Sequence, residues 1–174
     1  MNSEEYQPTQ GVNVGSKAIA AFGFLWLHGT PKAICWTKLS VTAEVGDVYL
    51  KLVEAVDWNV GDEIVLTSTT VEPQQTEKFI IIAISPDRQN LTLNAPLRYK
   101  HIAETHTAGN WTYTLAAEVG LLTRNIVIEG ADNPFGAWAG SFGCRVLVVG
   151  KARIEYVEIR RCGQEGWIDD FDPR

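Results

Sequence analysis

Asn125-Ile126-Val127-Ile128-Glu129-Gly130 and, twenty positions further on, Arg145-Val146-Leu147-Val148-Val149-Gly150 are two β-rich runs that each close on glycine. Val and Ile are stiff at χ1 and favour a pleated backbone. Glycine admits the turn that ends each run. A repeat of about 20 residues fits one coil of a parallel β-helix, in which every coil covers the apolar face of its neighbour. Two hairpins of a sandwich give the same pattern, so periodicity alone leaves both architectures open. Just beyond, Ile154-Glu155-Tyr156-Val157-Glu158-Ile159 alternates, with one face for a core and one for solvent.

Working outward, no stretch has the periodicity of a long amphipathic helix. Short Val/Ile/Leu runs predict strands at Val48–Leu52, Glu63–Thr67, Phe79–Ile84 and Leu91–Leu93, separated by Gly46-Asp47, Gly61-Asp62 and Pro86-Asp87. The expected organisation is a flexible segment over 1–14 and an all-β domain over 15–174. Within it, 43–97 form an inserted small antiparallel unit and 117–174 form the coils of a right-handed parallel β-helix, or solenoid. Thr67–Glu77 reads as an exposed polar loop, and His101–Trp111 as a longer excursion. A solenoid needs its end strands covered. Trp167–Arg174 reads as a lead into another coil, so a piece of a larger protein is expected.

The 174 residues carry a formal net charge of -6, with 45% hydrophobic and 21% charged side chains, a composition that packs a core and is not that of a disordered chain. That charge gives no general attraction for nucleic acid or an anionic membrane. The longest apolar run, Ala18–Leu27, is too short to cross a bilayer. Met1–Glu5 has neither the basic nor the apolar region of a signal peptide. Cys35, Cys144 and Cys162 match no zinc or redox motif and are read first as small buried side chains. Cys144 and Cys162 lie 18 residues apart, close to one coil, which leaves stacking or a bridge open.

Three stretches carry a family resemblance. They are Val56-Asp57-Trp58-Asn59-Val60-Gly61-Asp62-Glu63-Ile64-Val65-Leu66, then Ala117-Glu118-Val119-Gly120-Leu121-Leu122-Thr123-Arg124-Asn125-Ile126, then Val157-Glu158-Ile159 through Cys162-Gly163-Gln164-Glu165-Gly166. In this order and spacing they resemble the eight-glycine domain with its following parallel β-helix repeats. That family is found in fibrocystin, in fibrocystin-like cell-surface proteins and in hyaluronan-degrading cell-migration proteins. The Tyr-Pro-Ile-His-Phe-His continuation of the hyaluronan-degrading branch is absent. The resemblance implies an extracellular or cell-surface location and no defined activity for the fibrocystin branch.

Arg124, before a predicted core strand, and Asp132, past the next turn, form either a grip for a uronate with an acid or base beside it, or a structural ion pair. Glu129, Asp132 and Glu155 are the carboxylates available to a glycoside hydrolase, which needs two flanking the bond. Trp111 and Trp138 lie in loop-like surroundings suited to stacking on sugars or to packing. Asn90-Leu91-Thr92 and Asn110-Trp111-Thr112 are glycosylation sequons. His28, His101 and His106 lack ligand spacing and are expected to be exposed or hydrogen-bonded. Asp169-Asp170-Phe171-Asp172 is read as a solvated loop. No metal and no cofactor is expected. The expected function is a non-catalytic extracellular scaffold or ligand-binding domain that binds protein or glycan. The alternatives are a polysaccharide-processing enzyme fragment and a self-association module working through solenoid ends.

Overall fold

A computed structural model of the chain describes residue 14, residues 17–130 and residues 143–163. In chain order the strands are β1 (Ala18–His28), β2 (Trp36–Lys38), β3 (Tyr49–Lys51), β4 (Glu63–Leu66), β5 (Glu77–Ile84) and β6 (Asn90–Leu93). They continue with β7 (Ala103–Ala108), β8 (Trp111–Ala116), β9 (Glu118–Leu121), β10 (Ile126–Glu129), β11 (Arg145–Glu155) and β12 (Val157–Arg160). The described residues hold a single 3-10 turn, Pro73–Gln75, and no α-helix. The chain divides into two compact units: Met1–Thr30 with Arg124–Arg174, and Pro31–Thr123.

In the first unit β1 runs parallel to β11 in an unbroken register from Ala18 opposite Arg145 to His28 opposite Glu155, and β10 runs parallel to β12 with Ile126 opposite Val157. The pairing corrects the repeat suggested by the sequence. Ile126–Glu129 lies beside Val157–Arg160, 31 residues on, and not beside the run at Arg145 that it resembles. Ile154–Ile159 is not one strand either. Tyr156 takes a φ of 54° and turns the chain between β11 and β12.

Glycine is required inside the paired strands β1 and β11. Gly23 and Gly150 face each other in the register, with φ of 132° and 142°. A Cβ on Gly150 would stand 2.0 Å from the Gly23 carbonyl oxygen, and one on Gly29 would stand 2.1 Å from that of Tyr156. Cys144 and Cys162 are joined by a disulfide, with Cα atoms 4.3 Å apart, so the reading of both as plain buried side chains gives way to the bridge. The bond ties the residue before β11 to the second residue after β12.

In the second unit six antiparallel strands follow the order β2-β9-β4-β5-β6-β3. The sheet draws β2 and β9 from outside the span 43–97. Its two edge strands approach each other at the Leu39–Leu52 bridge, where the Ser40 amide donates to the Lys51 carbonyl at 2.8 Å and the Val53 amide to that of Lys38 at 2.9 Å. The sheet is therefore a curled half-barrel. Its alternate residues, among them Leu50, Leu52, Ile64, Leu66, Ile81, Leu91 and Val119, fill one apolar core. Burial of each such side chain contributes about 1.5–3 kcal/mol.

The Val56–Leu66 stretch has a clear physical role. Trp58 is fully buried in that core, and its indole N–H donates to the Ile34 carbonyl at 2.6 Å, as an enclosed indole must. The Asp57 carboxylate accepts the Ala33 and Ile34 amides at 2.9 and 3.4 Å, fixing the first residues of the unit. Burial opposes ionisation of Asp57, yet those two amides and Lys32 together hold its pKa below the ordinary value. Asp62 closes the turn by accepting the Asn59 amide at 2.8 Å, with Gly61 at a φ of 95°.

The sequence reading of residues 67–111 needs two corrections. Glu77 is not part of an exposed loop but is buried and bonded to His101, Oε2 to Nε2, at 3.1 Å; His101, expected exposed or hydrogen-bonded, is hydrogen-bonded and buried. The His101 Nδ1 lies 2.9 Å from the Thr67 carbonyl, an acceptor only, so that nitrogen carries a proton. Glu77 also accepts the Arg98 amide at 3.0 Å and the Tyr99 amide at 3.2 Å. The polar residues beyond them, expected as an excursion, are the hairpin β7–β8.

Candidate functional site

The hairpin β7–β8 turns over Gly109-Asn110, with Gly109 at a φ of 61° in the first central position. Glycine followed by asparagine suits the two-residue turns whose twist matches that of the strands. The register sets Glu104 opposite Leu115, Thr105 opposite Thr114, His106 opposite Tyr113, Thr107 opposite Thr112 and Ala108 opposite Trp111. Side chains alternate between faces, so the hairpin has two unlike sides.

One side is a threonine ladder. The Thr105 and Thr114 hydroxyls are 3.0 Å apart and those of Thr107 and Thr112 are 3.2 Å apart. The other side is aromatic and open. Trp111 is 79% exposed and Tyr113 56%, with Leu115 exposed beyond them. The His106 ring stacks on Tyr113 at a centroid distance of 5.4 Å, and its Nε2 lies 3.4 Å from Glu104. A strip of exposed rings flanked by a histidine and a carboxylate can stack on a sugar face or cover an apolar anchor of a partner, while accepting polar contacts at its margin. Tyr113 and Leu115 were not among the sequence candidates, and His106 was weighed only as a metal ligand. Their signal was the alternation of threonines on either side of Gly109-Asn110.

The remaining candidates are dispersed. Arg124 is half-buried and already engaged in an interaction. Asp132, Trp138 and the acidic run 169–172 lie outside the described residues. Glu129 accepts from Arg160 at 2.8 Å and pairs with Arg161 at 3.2 Å. The Arg160 hydrogen bond, with Arg161 nearby, holds its pKa below the ordinary carboxylate value. Glu155 is held low in the same way, first by Arg153 at 2.8 Å and then by His28 at 3.0 Å. Carboxyl groups kept ionised are poor proton donors to a glycosidic oxygen, which calls for a raised pKa.

The sequons differ in setting. Asn90 opens β6, is half-buried, and its Nδ2 donates to the Ser85 hydroxyl and to the Asp87 carboxylate, all at 3.3 Å. Asn110 is exposed in the hairpin turn. Among the described residues no group of three or more His, Cys, Asp and Glu side chains is placed to hold a metal ion. No helix among them is long and apolar enough to cross a membrane.

No family model matches the chain. It is 45% identical to fibrocystin-L of Homo sapiens over 185 aligned positions, covering 99% of this chain and 4% of that protein. It is 34% identical to a G8 domain-containing protein of Dictyostelium discoideum, over 86% of this chain and 13% of that protein. With fibrocystin of Canis lupus familiaris it shares 34% identity over 68% of this chain and 3% of that protein. The chain spans a small fraction of the length of these relatives. Along nearly its whole length, it is therefore homologous to one segment of the fibrocystin-L and G8 domain-containing proteins.

Proposed function

We propose that this chain is a non-catalytic extracellular segment of a large fibrocystin-like cell-surface protein, and that it binds a protein or glycan through the aromatic side of β7–β8. The observation that carries the reading is the one-sided strip Trp111–Tyr113–His106–Leu115, which is too apolar and too open to be explained by packing within the unit. An extracellular location is supported by the Cys144–Cys162 bridge, since such bonds persist in oxidising compartments.

The first unit is read as two turns of a right-handed parallel β-helix. The offset is 31 residues across β10–β12 and 127 across β1–β11. The 93 residues of Pro31–Thr123 lie within the second interval and outside the first, and discounting them leaves 34. Both pairs then have nearly one coil length, and parallel connections are right-handed by general rule. On this reading the second unit is an insertion at a coil corner.

The test is binding of the purified chain to a glycan panel including hyaluronan and to candidate ectodomains, with and without Ca²⁺ and with glycan size read on the same samples. The expected result is binding that is lost in the double variant Trp111→Ala, Tyr113→Ala, still folded by circular dichroism, and kept in Arg124→Ala. Binding that survives the double variant, or no binding at all, would remove the hairpin as the recognition element. Shortening of the glycan would favour the polysaccharide-processing alternative.

Self-association is a second reading with its own observation. Phe22, Phe24 and Trp26 are exposed along one side of β1, whose only partner among the described residues is β11. It predicts a concentration-dependent mass in sedimentation, reduced by Phe24→Ser.

A further inference from the structure

We infer that Asn110, and not Asn90, is the asparagine of this chain that carries an N-linked glycan. The inference rests on the extracellular reading above, because the modification belongs to the secretory route. Both residues satisfy the Asn-x-Thr pattern, so the sequence does not separate them. The structure does.

In the transfer, the asparagine Nδ2 forms a bond to C1 of an oligosaccharide delivered on a lipid diphosphate. The bond from C1 to the diphosphate oxygen breaks, the diphosphate leaves on its lipid with the electron pair, and one of the two amide N–H protons passes to solvent. The product keeps one N–H where the free amide had two.

At Asn90 both amide hydrogens are in use. Nδ2 reaches the Ser85 hydroxyl and both Asp87 carboxylate oxygens. The same turn is closed by the Asn90 amide donating to Ser85 Oγ at 2.9 Å and the Ser85 amide donating to the Asn90 carbonyl at 2.9 Å. It also carries Arg88, held at a φ of 59°, whose guanidinium donates to the Val56 and Trp58 carbonyls. A sugar on Nδ2 removes one donor from this knot and places bulk where Ser85 and Asp87 stand. Whether transfer comes before or after folding, the finished turn has to accommodate it, at the cost of contacts that lead to the buried Trp58.

At Asn110 nothing opposes the product. The residue is exposed, its side chain has no hydrogen bond among the described residues, and it sits in a two-residue turn with no strand beside it. Thr112, the sequon hydroxyl, is exposed on the threonine side of the hairpin. The glycan leaves from the tip, where the threonine and aromatic sides meet.

The experiment expresses the full 174-residue chain behind a secretion signal in mammalian cells. Enzymatic deglycosylation in ¹⁸O-water then marks each formerly modified asparagine as labelled aspartate, read by peptide mass spectrometry. Asn110 is expected to carry the label at near-complete occupancy and Asn90 to remain unlabelled. Thr112→Val, which keeps the branched shape and removes the sequon, is expected to abolish the gel shift. Thr92→Val, which leaves the Asn90 turn intact, is expected to leave the shift unchanged. Label on Asn90, alone or together with Asn110, would overturn the inference. A secreted chain with the Cys144–Cys162 bond formed but Asn110 unlabelled would overturn it while leaving the extracellular reading in place; label on Asn110 with both cysteines reduced would do the reverse.

Discussion

Gly150→Ala and Gly23→Ala put the paired glycines of β1 and β11 to a comparative test. Both residues sit at positive φ, where a side chain is strained by about 1–3 kcal/mol. They differ in what an added Cβ meets. At Gly23 it meets nothing within 4 Å, whereas at Gly150 it lies 2.0 Å from the Gly23 oxygen and 2.8 Å from the carbon. Those are backbone atoms of the paired strand and cannot rotate away. Real Cβ contacts essentially never fall under 3.0 Å, so β1 and β11 must part by about 1 Å at this point. Such a shift carries the flanking ladder hydrogen bonds past a useful length, at about 1 kcal/mol each. Gly150→Ala is expected to cost about 3–5 kcal/mol and Gly23→Ala about 1–3 kcal/mol. Hydrogen exchange read on peptides covering 18–28 and 145–155, with chemical denaturation of the same variants, measures both. Equal protection in Gly150→Ala and the parent chain, or a larger loss in Gly23→Ala, would refute the paired-glycine account.

Three further outcomes follow from the same geometry. Glu77→Ala strips a buried site of the partner to His101 and to the Arg98 and Tyr99 amides, and is expected to cost about 3–5 kcal/mol in urea denaturation; a cost under about 1 kcal/mol would mean that water replaces the carboxylate. Cys144→Ser with Cys162→Ser opens a loop of 18 residues, for which chain entropy gives about 3 kcal/mol, seen as faster exchange in β11 and β12 peptides on heating; unchanged exchange would refute it. Glu129 and Glu155 have lowered folded pKa values, so the unfolded chain binds more protons as the pH drops. Their contribution is complete above the ordinary carboxylate range near about 4 and is lost as the pH falls through their lower folded values. Both groups are solvent-facing, so the effect is small and fades with salt. A melting temperature measured against pH shows it as an acid-side slope that Glu129→Gln with Glu155→Gln flattens; an unaltered slope would assign it to other carboxylates.

The second unit was legible where its core is. Val48–Leu52, Glu63–Thr67, Phe79–Ile84 and Leu91–Leu93 each match an observed strand to within two residues at either end, because their alternation follows a half-buried sheet. The hairpin β7–β8 escaped notice for the opposite reason. Its strands are exposed on both sides, so no apolar alternation marks them, and only the threonine pattern around Gly109-Asn110 does. Glu77 looked like a solvent residue, and His101 was left open between exposed and hydrogen-bonded, because each is polar and near other polar residues. Their burial depends on partners 24 and 34 positions away, which composition does not reveal. The resemblance between Asn125–Gly130 and Arg145–Gly150 was real as a pattern and wrong as a pairing. Both runs are β segments, but β11 continues through Gly150 to Glu155 and takes β1 as its parallel partner, while β10 takes β12. The candidate surface was found through Trp111 alone, since the register that gathers Tyr113, His106 and Leu115 beside it is a property of the fold.

On the β-helix reading, the corner after β1 explains how one coil admits so long an insertion. Thr30 and Asn125 bracket Pro31–Thr123, and the Thr30 amide donates to the Asn125 side-chain oxygen at 2.6 Å. The Gly29 amide donates to the Glu155 carbonyl at 2.9 Å, so the same corner is also pinned to β11. These contacts therefore hold the two ends of residues 31–123 close together and ask nothing of what lies between them. An inserted segment with its own core meets that condition at little entropic expense, because loop closure depends only weakly on length. The half-barrel has such a core, built around Trp58 and joined to its own first residues through Asp57 and Ile34. On the proposed reading, Trp111→Ala and Tyr113→Ala act within the hairpin of the half-barrel, and Gly150→Ala acts within the β1–β11 pair.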